Sequence, residues 1–141
     1  VLFVISSVSE NRQTLRTADE ITDEIIVLFD DETLTQRDSS FIREKLSIDL
    51  SLFSSYSYYS SDDIMNISEL FVGVLNSDSY ESIKDSLNSY AEEKYNLFNG
   101  YAPEQAAYLD RYVLNEEAGA IIFCVSRDAD SIYDAFVKAL D

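Results

Sequence analysis

The chain has 141 residues, 46% of them apolar, and a formal charge of −17 from 27 acidic against 10 basic residues. That length and apolar content suit one domain with a sizeable core, while the charge excludes nucleic-acid phosphates and anionic lipid surfaces, which need clustered Lys and Arg. Histidine is absent, so the commonest metal ligand and the usual acid-base group near neutrality are both missing, and with them any His-dependent triad.

Residues 1–16, VLFVISSVSENRQTLR, open with five apolar residues, far fewer than the roughly twenty that span a bilayer. They are read as a linker or the remnant of an export or anchor segment, with the domain beginning at Thr17 and running to Asp141. Thr17 and Glu20 have the spacing of a capping box, and Ile21, Ile25, Leu28 and Phe29 share a helical face, which predicts a first helix ending before Asp30, Asp31 and Glu32. A second, shorter helix is expected over residues 39–46. The period then changes to two: Tyr56 and Tyr58 alternate against Ser55, Ser57 and Tyr59, the pattern of a strand rich in aromatic residues. After the turn composition of Ser60 to Asp63, ISELFVGVL (67–75) reads as the next strand, with Gly73 marking a bulge or a close contact.

Residues 79–126 organise the rest. A long helix is expected from Asp78 and Glu81, spaced as another capping box, with Tyr80, Ile83, Leu87, Tyr90 and Leu97 inward. Asn99-Gly100 suits a left-handed C-cap, and Pro103, the only proline, suits the first position of a short helix, PEQAAYL. Two strands, 111–114 and 120–125, flank a hairpin loop at 115–119. The run AIIFCV is apolar on both alternating sets and belongs inside the sheet. Its cysteine, Cys124, reads as a small buried apolar residue with no histidine to activate it. A last helix follows Asp128, with Ile132, Ala135, Phe136, Ala139 and Leu140 inward. The order α-α-β-β-α-short α-β-β-α predicts an α+β fold: a mainly antiparallel four-stranded sheet with helices packed chiefly on one face.

The segments SELFVGVL, DSYESIKDSL, LFNGYAPEQAAYLDRYVL, AGAIIFCVS and DADSIYDAFVKAL together resemble a domain-of-unknown-function family of lipoproteins and membrane-anchored proteins from Gram-positive gut bacteria. The resemblance covers roughly residues 18–140, and its most specific element is the Tyr-Ala-Pro-Glu-Gln segment, 101–105. It implies export and tethering outside the cell membrane, but no catalytic residue that could be carried over. No lipobox cysteine stands at the start of this chain.

The residues point to no catalytic set, no cofactor and no metal ligand set. Five side chains are candidates for binding: Tyr101, Glu104 and Gln105 around the Pro103 corner, and Tyr56 and Tyr58 on the Ser-rich strand, where phenols could stack on sugars or peptides. The resulting expectation is a non-catalytic extracytoplasmic module, tethered to the cell envelope or secreted, that binds an envelope protein, peptide or glycan and meets the membrane only through an anchor outside the domain. Two alternatives stand beside it. One is a hydrolase using paired carboxylates. The other is a divalent-cation-dependent module using Asp30, Asp31 and Glu32, or Asp62 and Asp63.

Overall fold

Helix α1 (Ala18–Ile25) starts where the Thr17 and Glu20 spacing places it. The Thr17 hydroxyl accepts from the Glu20 N–H at 3.2 Å, and the Glu20 carboxylate accepts from the Thr17 N–H at 3.0 Å. These bonds from Thr17 hold the Glu20 carboxyl below its ordinary pKa. A 3-10 turn (Ile26–Phe29) follows, and it leaves Leu28 exposed rather than inward. The computed structural model describes residues 12–141; the part of the expected linker at residues 1–11 lies outside them.

The remaining elements are β1 (Leu34–Gln36), α2 (Ser39–Leu46), β2 (Phe53–Ser61), β3 (Glu69–Leu75), α3 (Tyr80–Asn99), α4 (Pro103–Ala106), β4 (Val113–Glu117), β5 (Ala120–Val125) and α5 (Ala129–Ala139). The sheet is antiparallel throughout in the order β1-β2-β3-β5-β4. It therefore has five strands, not four. The extra one is Leu-Thr-Gln, too short to show alternation, and it exists because Gln36 and Leu34 pair with Tyr59 and Ser61 at the end of β2.

Helices cover both faces of the sheet, which corrects the expected one-sided packing. On β3 and β5 the side chains of Phe71, Leu75, Ile121, Phe123 and Val125 enter a core capped by α2, α3 and α4. Their alternates Leu70, Val72, Val74, Ala120, Ile122 and Cys124 enter a second core under α1 and α5. All residues of both strands are buried, and a strand apolar on both alternating sets needs cover on both sides. Each fully buried Ile or Phe contributes about 1.5–3 kcal/mol, so these two strands carry the fold.

On β2 the same division holds from Ser55 onward. Ser55 and Ser57 face α1, where their hydroxyls meet the Ala18 N–H at 2.9 Å and the Thr22 hydroxyl at 3.0 Å. Tyr58 faces the α3 side. A register shift between Phe53 and Ser55 puts Phe53 on that side too, against the simple alternation. Its ring fills the space beside Gly73, where a Cβ would collide with Phe53 and crowd Phe71.

Several ends differ from their sequence signals. Helix α3 is capped by Ser79 with no side-chain bond, so Asp78 and Glu81 form no capping box, and Gly100 has an ordinary right-handed φ of −76°. Within α3 it is Phe98, not Leu97, that is buried. The β4–β5 loop is a two-residue turn, Ala118-Gly119, with φ of 53° and 79°, the twist that matches a hairpin's strands. The chain ahead of Thr17 also docks: Thr14 donates its N–H to Ala118 O at 2.8 Å and its hydroxyl to Leu140 O at 2.6 Å.

Candidate functional site

Glu69, the first residue of β3, is fully buried on the α3 side of the sheet. A charge in that position must be neutralised and hydrogen-bonded, and three side chains do so. The Tyr58 hydroxyl donates to Oε1 at 2.7 Å, the Tyr90 hydroxyl donates to Oε2 at 2.8 Å, and Lys94 pairs with Oε2. Lys94 also donates to the backbone carbonyl of Ile67 at 3.0 Å. Its ammonium lies 5.7 Å from the ring centres of both Tyr90 and Phe98.

Sequence reasoning missed this cluster, although a signal existed. Tyr90, Lys94 and Phe98 recur at i, i+4 and i+8, so Lys94 falls between two aromatic residues on one face of α3, and Glu69 heads a strand that is otherwise without polar side chains. Two opposite charges, each misplaced on its own element, are what a buried pair looks like before folding. Chemically the cluster is quiet. Burial, then the charge of Glu69, pushes the pKa of both Tyr58 and Tyr90 well above the ordinary value, so both phenols stay protonated donors.

Above the cluster a cleft of about 220 Å³ opens between α2, the end of β2, the 61–68 loop and α3. Its walls include Phe41, Tyr58, Tyr90, Lys94 and Phe98, and its lips are Ile64, Leu97 and Tyr101, which are 78%, 63% and 44% exposed. Tyr101 is held in place: its ring packs on Phe98 with centroids 5.1 Å apart, and its hydroxyl donates to Ile64 O at 3.0 Å. The Tyr folds back on the helix it follows.

Of the five candidate residues, the structure brings Tyr58 and Tyr101 into this one cleft, Tyr58 as fully buried floor rather than exposed patch. Tyr56 shares the sheet face of Tyr58 but is half-buried against the core elsewhere. Glu104 is exposed on the first turn of α4. Gln105 is a brace, its side-chain oxygen accepting the Ile67 N–H at 3.1 Å.

The acidic loops serve local structure. Asp31 accepts from the Thr33 N–H and hydroxyl and from Asn66; burial pushes its carboxyl up, but these bonds hold it below the ordinary value. Asp62 is held low by Arg37, which donates to it at 2.8 Å. Among the described residues, no group of three or more Cys, Asp or Glu is placed to hold a metal ion. One carboxyl moves the other way: burial, with Asp78 and Glu117 nearby, pushes Glu116 up, in an open depression of about 650 Å³ beside the β4–β5 turn.

The profile of a domain family of unknown function, DUF4358, matches residues 28–126, more than two thirds of the chain. The chain belongs to the DUF4358 family. The DUF4358 match includes all five strands, α2, α3 and α4, and so contains Glu69, Lys94, both phenols and all three lips of the cleft; α1 and α5 lie outside it. It is narrower than the expected span of 18–140. No curated protein and no solved structure matches the chain. Among the described residues, no helix is long and apolar enough to cross a membrane.

Proposed function

We propose that this DUF4358 domain is a non-catalytic binding module whose ligand site is the cleft lipped by Ile64, Leu97 and Tyr101. The observation that carries the reading is the pairing of three exposed apolar side chains with a floor whose polar groups are already satisfied. Large exposed apolar residues grouped around a concavity mark an interaction site, and a floor with no activated nucleophile, acid or base offers recognition without chemistry. The resemblance to lipoproteins and membrane-anchored proteins of Gram-positive gut bacteria supports placing the module outside the membrane, tethered through a segment beyond the domain, with an envelope component as its ligand.

Two experiments test this. Fractionation of the native protein, with and without detergent, should recover it in the membrane and release it with detergent; recovery in the cytosol would remove the export reading. Titration of isotopically labelled protein with separated peptide and glycan fractions of the envelope should shift amide resonances around Ile64, Leu97 and Tyr101. Shifts elsewhere, or none, would remove the site.

A second reading, a carboxylate hydrolase, is favoured only by Glu116, whose carboxyl is raised beside Asp78 and Glu117 in an open depression. Turnover of a glycoside panel that Glu116→Gln abolishes would support it, and absence of turnover by the parent protein would end it.

A further inference from the structure

The cleft does not end at Lys94. A second depression, of about 300 Å³, runs on between α2 and α3 and shares Lys45 and Tyr90 with the first. Its lining includes two acids, Asp85 and Glu93, both exposed on α3, beside the one lysine it shares with the first. One groove thus joins an apolar-lipped cavity to an acidic trough.

The two halves differ in what they can hold. The cavity, at about 220 Å³, lies below the roughly 300–1,000 Å³ of pockets that enclose a whole small ligand, so it suits one group projecting from something larger. Its phenols are spent: Tyr58 and Tyr90 donate to Glu69, and Tyr101 donates to Ile64 O. A sugar ring would find no free phenol to donate to it, and the ring of Tyr101 already packs on Phe98. Lys94 is balanced by Glu69 and Asp62 by Arg37, and the two remaining charges, Lys45 and Asp63, are of opposite sign. The group that fits is uncharged and apolar.

The trough is the opposite. Asp85 and Glu93 face a groove on a chain of net charge −17, and such a field attracts and orients cationic partners. Between the halves, Lys45, which lines both depressions, can donate to backbone carbonyls of a bound chain.

Building on the binding-module reading above, we propose that the groove takes an extended, basic segment of a partner protein. One apolar anchor side chain of that segment enters the cavity between Ile64, Leu97 and Tyr101, and its Lys or Arg neighbours lie over Asp85 and Glu93. This is the usual economy of peptide recognition, an anchor in a pocket with charges setting direction and register.

The test uses the full chain and three short fluorescent peptides: lysines around a central leucine, the same with a central serine, and glutamates around a central leucine. Anisotropy should show salt-sensitive binding of the first alone. Leu97→Asp, at an exposed position that folding does not need, should weaken it at least about tenfold, the loss of an anchor contact. Asp85→Lys combined with Glu93→Lys should weaken it by a similar factor and flatten the salt dependence, while Val137→Asp on α5, across the sheet, should change nothing.

Equal binding of the serine peptide, or indifference to Leu97→Asp, would show charge attraction alone and overturn the proposal. Failure of all three peptides, with a glycan fraction shifting resonances around the cleft, would overturn the peptide ligand and leave the binding module standing. Failure of peptides and glycans together would remove both.

Discussion

Replacing Lys94 by Met keeps the length of the side chain and removes its charge. Glu69 would then sit with no exposure and no cation, keeping only the two phenols as donors, and the Ile67 carbonyl would lose its partner. Breaking a buried pair in this way costs about 3–5 kcal/mol, against about 0–1 kcal/mol for a pair in solvent. Glu69 is wholly buried and the Lys94 side chain is 12% exposed, so the larger figure applies. Glu69→Gln should cost less than Lys94→Met, because the ammonium can lean toward the cleft mouth on its flexible stem. The double variant Glu69→Gln with Lys94→Met should recover most of the loss, since removing both charges leaves neither uncompensated. Urea unfolding followed by far-UV circular dichroism and tyrosine fluorescence, the chain having no Trp, gives the three free energies and their coupling. A domain with about 5–15 kcal/mol in hand can stay folded through the series. Should Lys94→Met lie within about 1 kcal/mol of the parent, with no coupling in the cycle, the pair behaves as a surface pair and the account of the site is wrong.

Alkaline titration followed by phenolate absorbance should leave two of the ten tyrosines un-ionised while the protein stays folded. Tyr58 and Tyr90 have folded pKa values raised above the ordinary 10.0, so their contribution to stability is complete below about pH 10 and is lost as pH rises further, because only the unfolded chain can ionise them. They should titrate together with unfolding, and reversible titration of all ten in a folded protein would contradict this. Cys124 is fully buried, and burial, helped by the charge of Glu69, pushes its thiol well up; a thiol reagent should label it only in denaturant, and rapid labelling of the native protein would refute its burial. Gly73→Ala should destabilise by about 1–3 kcal/mol, the usual cost of overpacking a core, because the added methyl meets the rings of Phe53 and Phe71; combining it with Phe53→Leu should return part of the loss, and thermal melts of the two variants decide it.

The strands and helices were legible where their signal was dense. Thr17 with Glu20, AIIFCV with its doubled apolar sets, and Pro103 at the head of a short helix each state a local physical need that tertiary structure then meets. The misses fall where a local signal is shared between outcomes. Three residues of β1 carry no period, and only the overhang of β2 makes them a strand. Asp78 and Glu81 have capping spacing, yet the backbone at Ser79 turns in without them. Leu97 and Phe98 are adjacent apolar residues, of which the helix can bury only one, and Phe98 fills more of the core. The candidate site was half legible. Tyr101 could be found because it follows a helix end, but Glu69 and Lys94 are informative only as a pair, and nothing in one dimension says that position 69 meets position 94.

In the proposed binding module, that pairing would also keep the cleft ready for its ligand. Its two walls belong to segments far apart in the chain, α3 on one side and the 61–68 loop on the other. Three ties hold them in register: Lys94 to Glu69 and Ile67 O at the floor, Tyr101 to Ile64 O at the lip, and Gln105 to the Ile67 N–H behind. Two of the ties converge on Ile67, whose own side chain is fully buried. The proposed partner would therefore meet a cavity already open and would not have to order it, which lowers the cost of association. The arrangement separates the two uses of charge in this acidic chain. Inside, Glu69 is cancelled by Lys94; outside, Asp85 and Glu93 of α3 remain to draw in the basic segment proposed above. Loss of Lys94 should then weaken binding even under conditions where the variant is fully folded, because the floor tie that positions Leu97 and Tyr101 against Ile64 has gone.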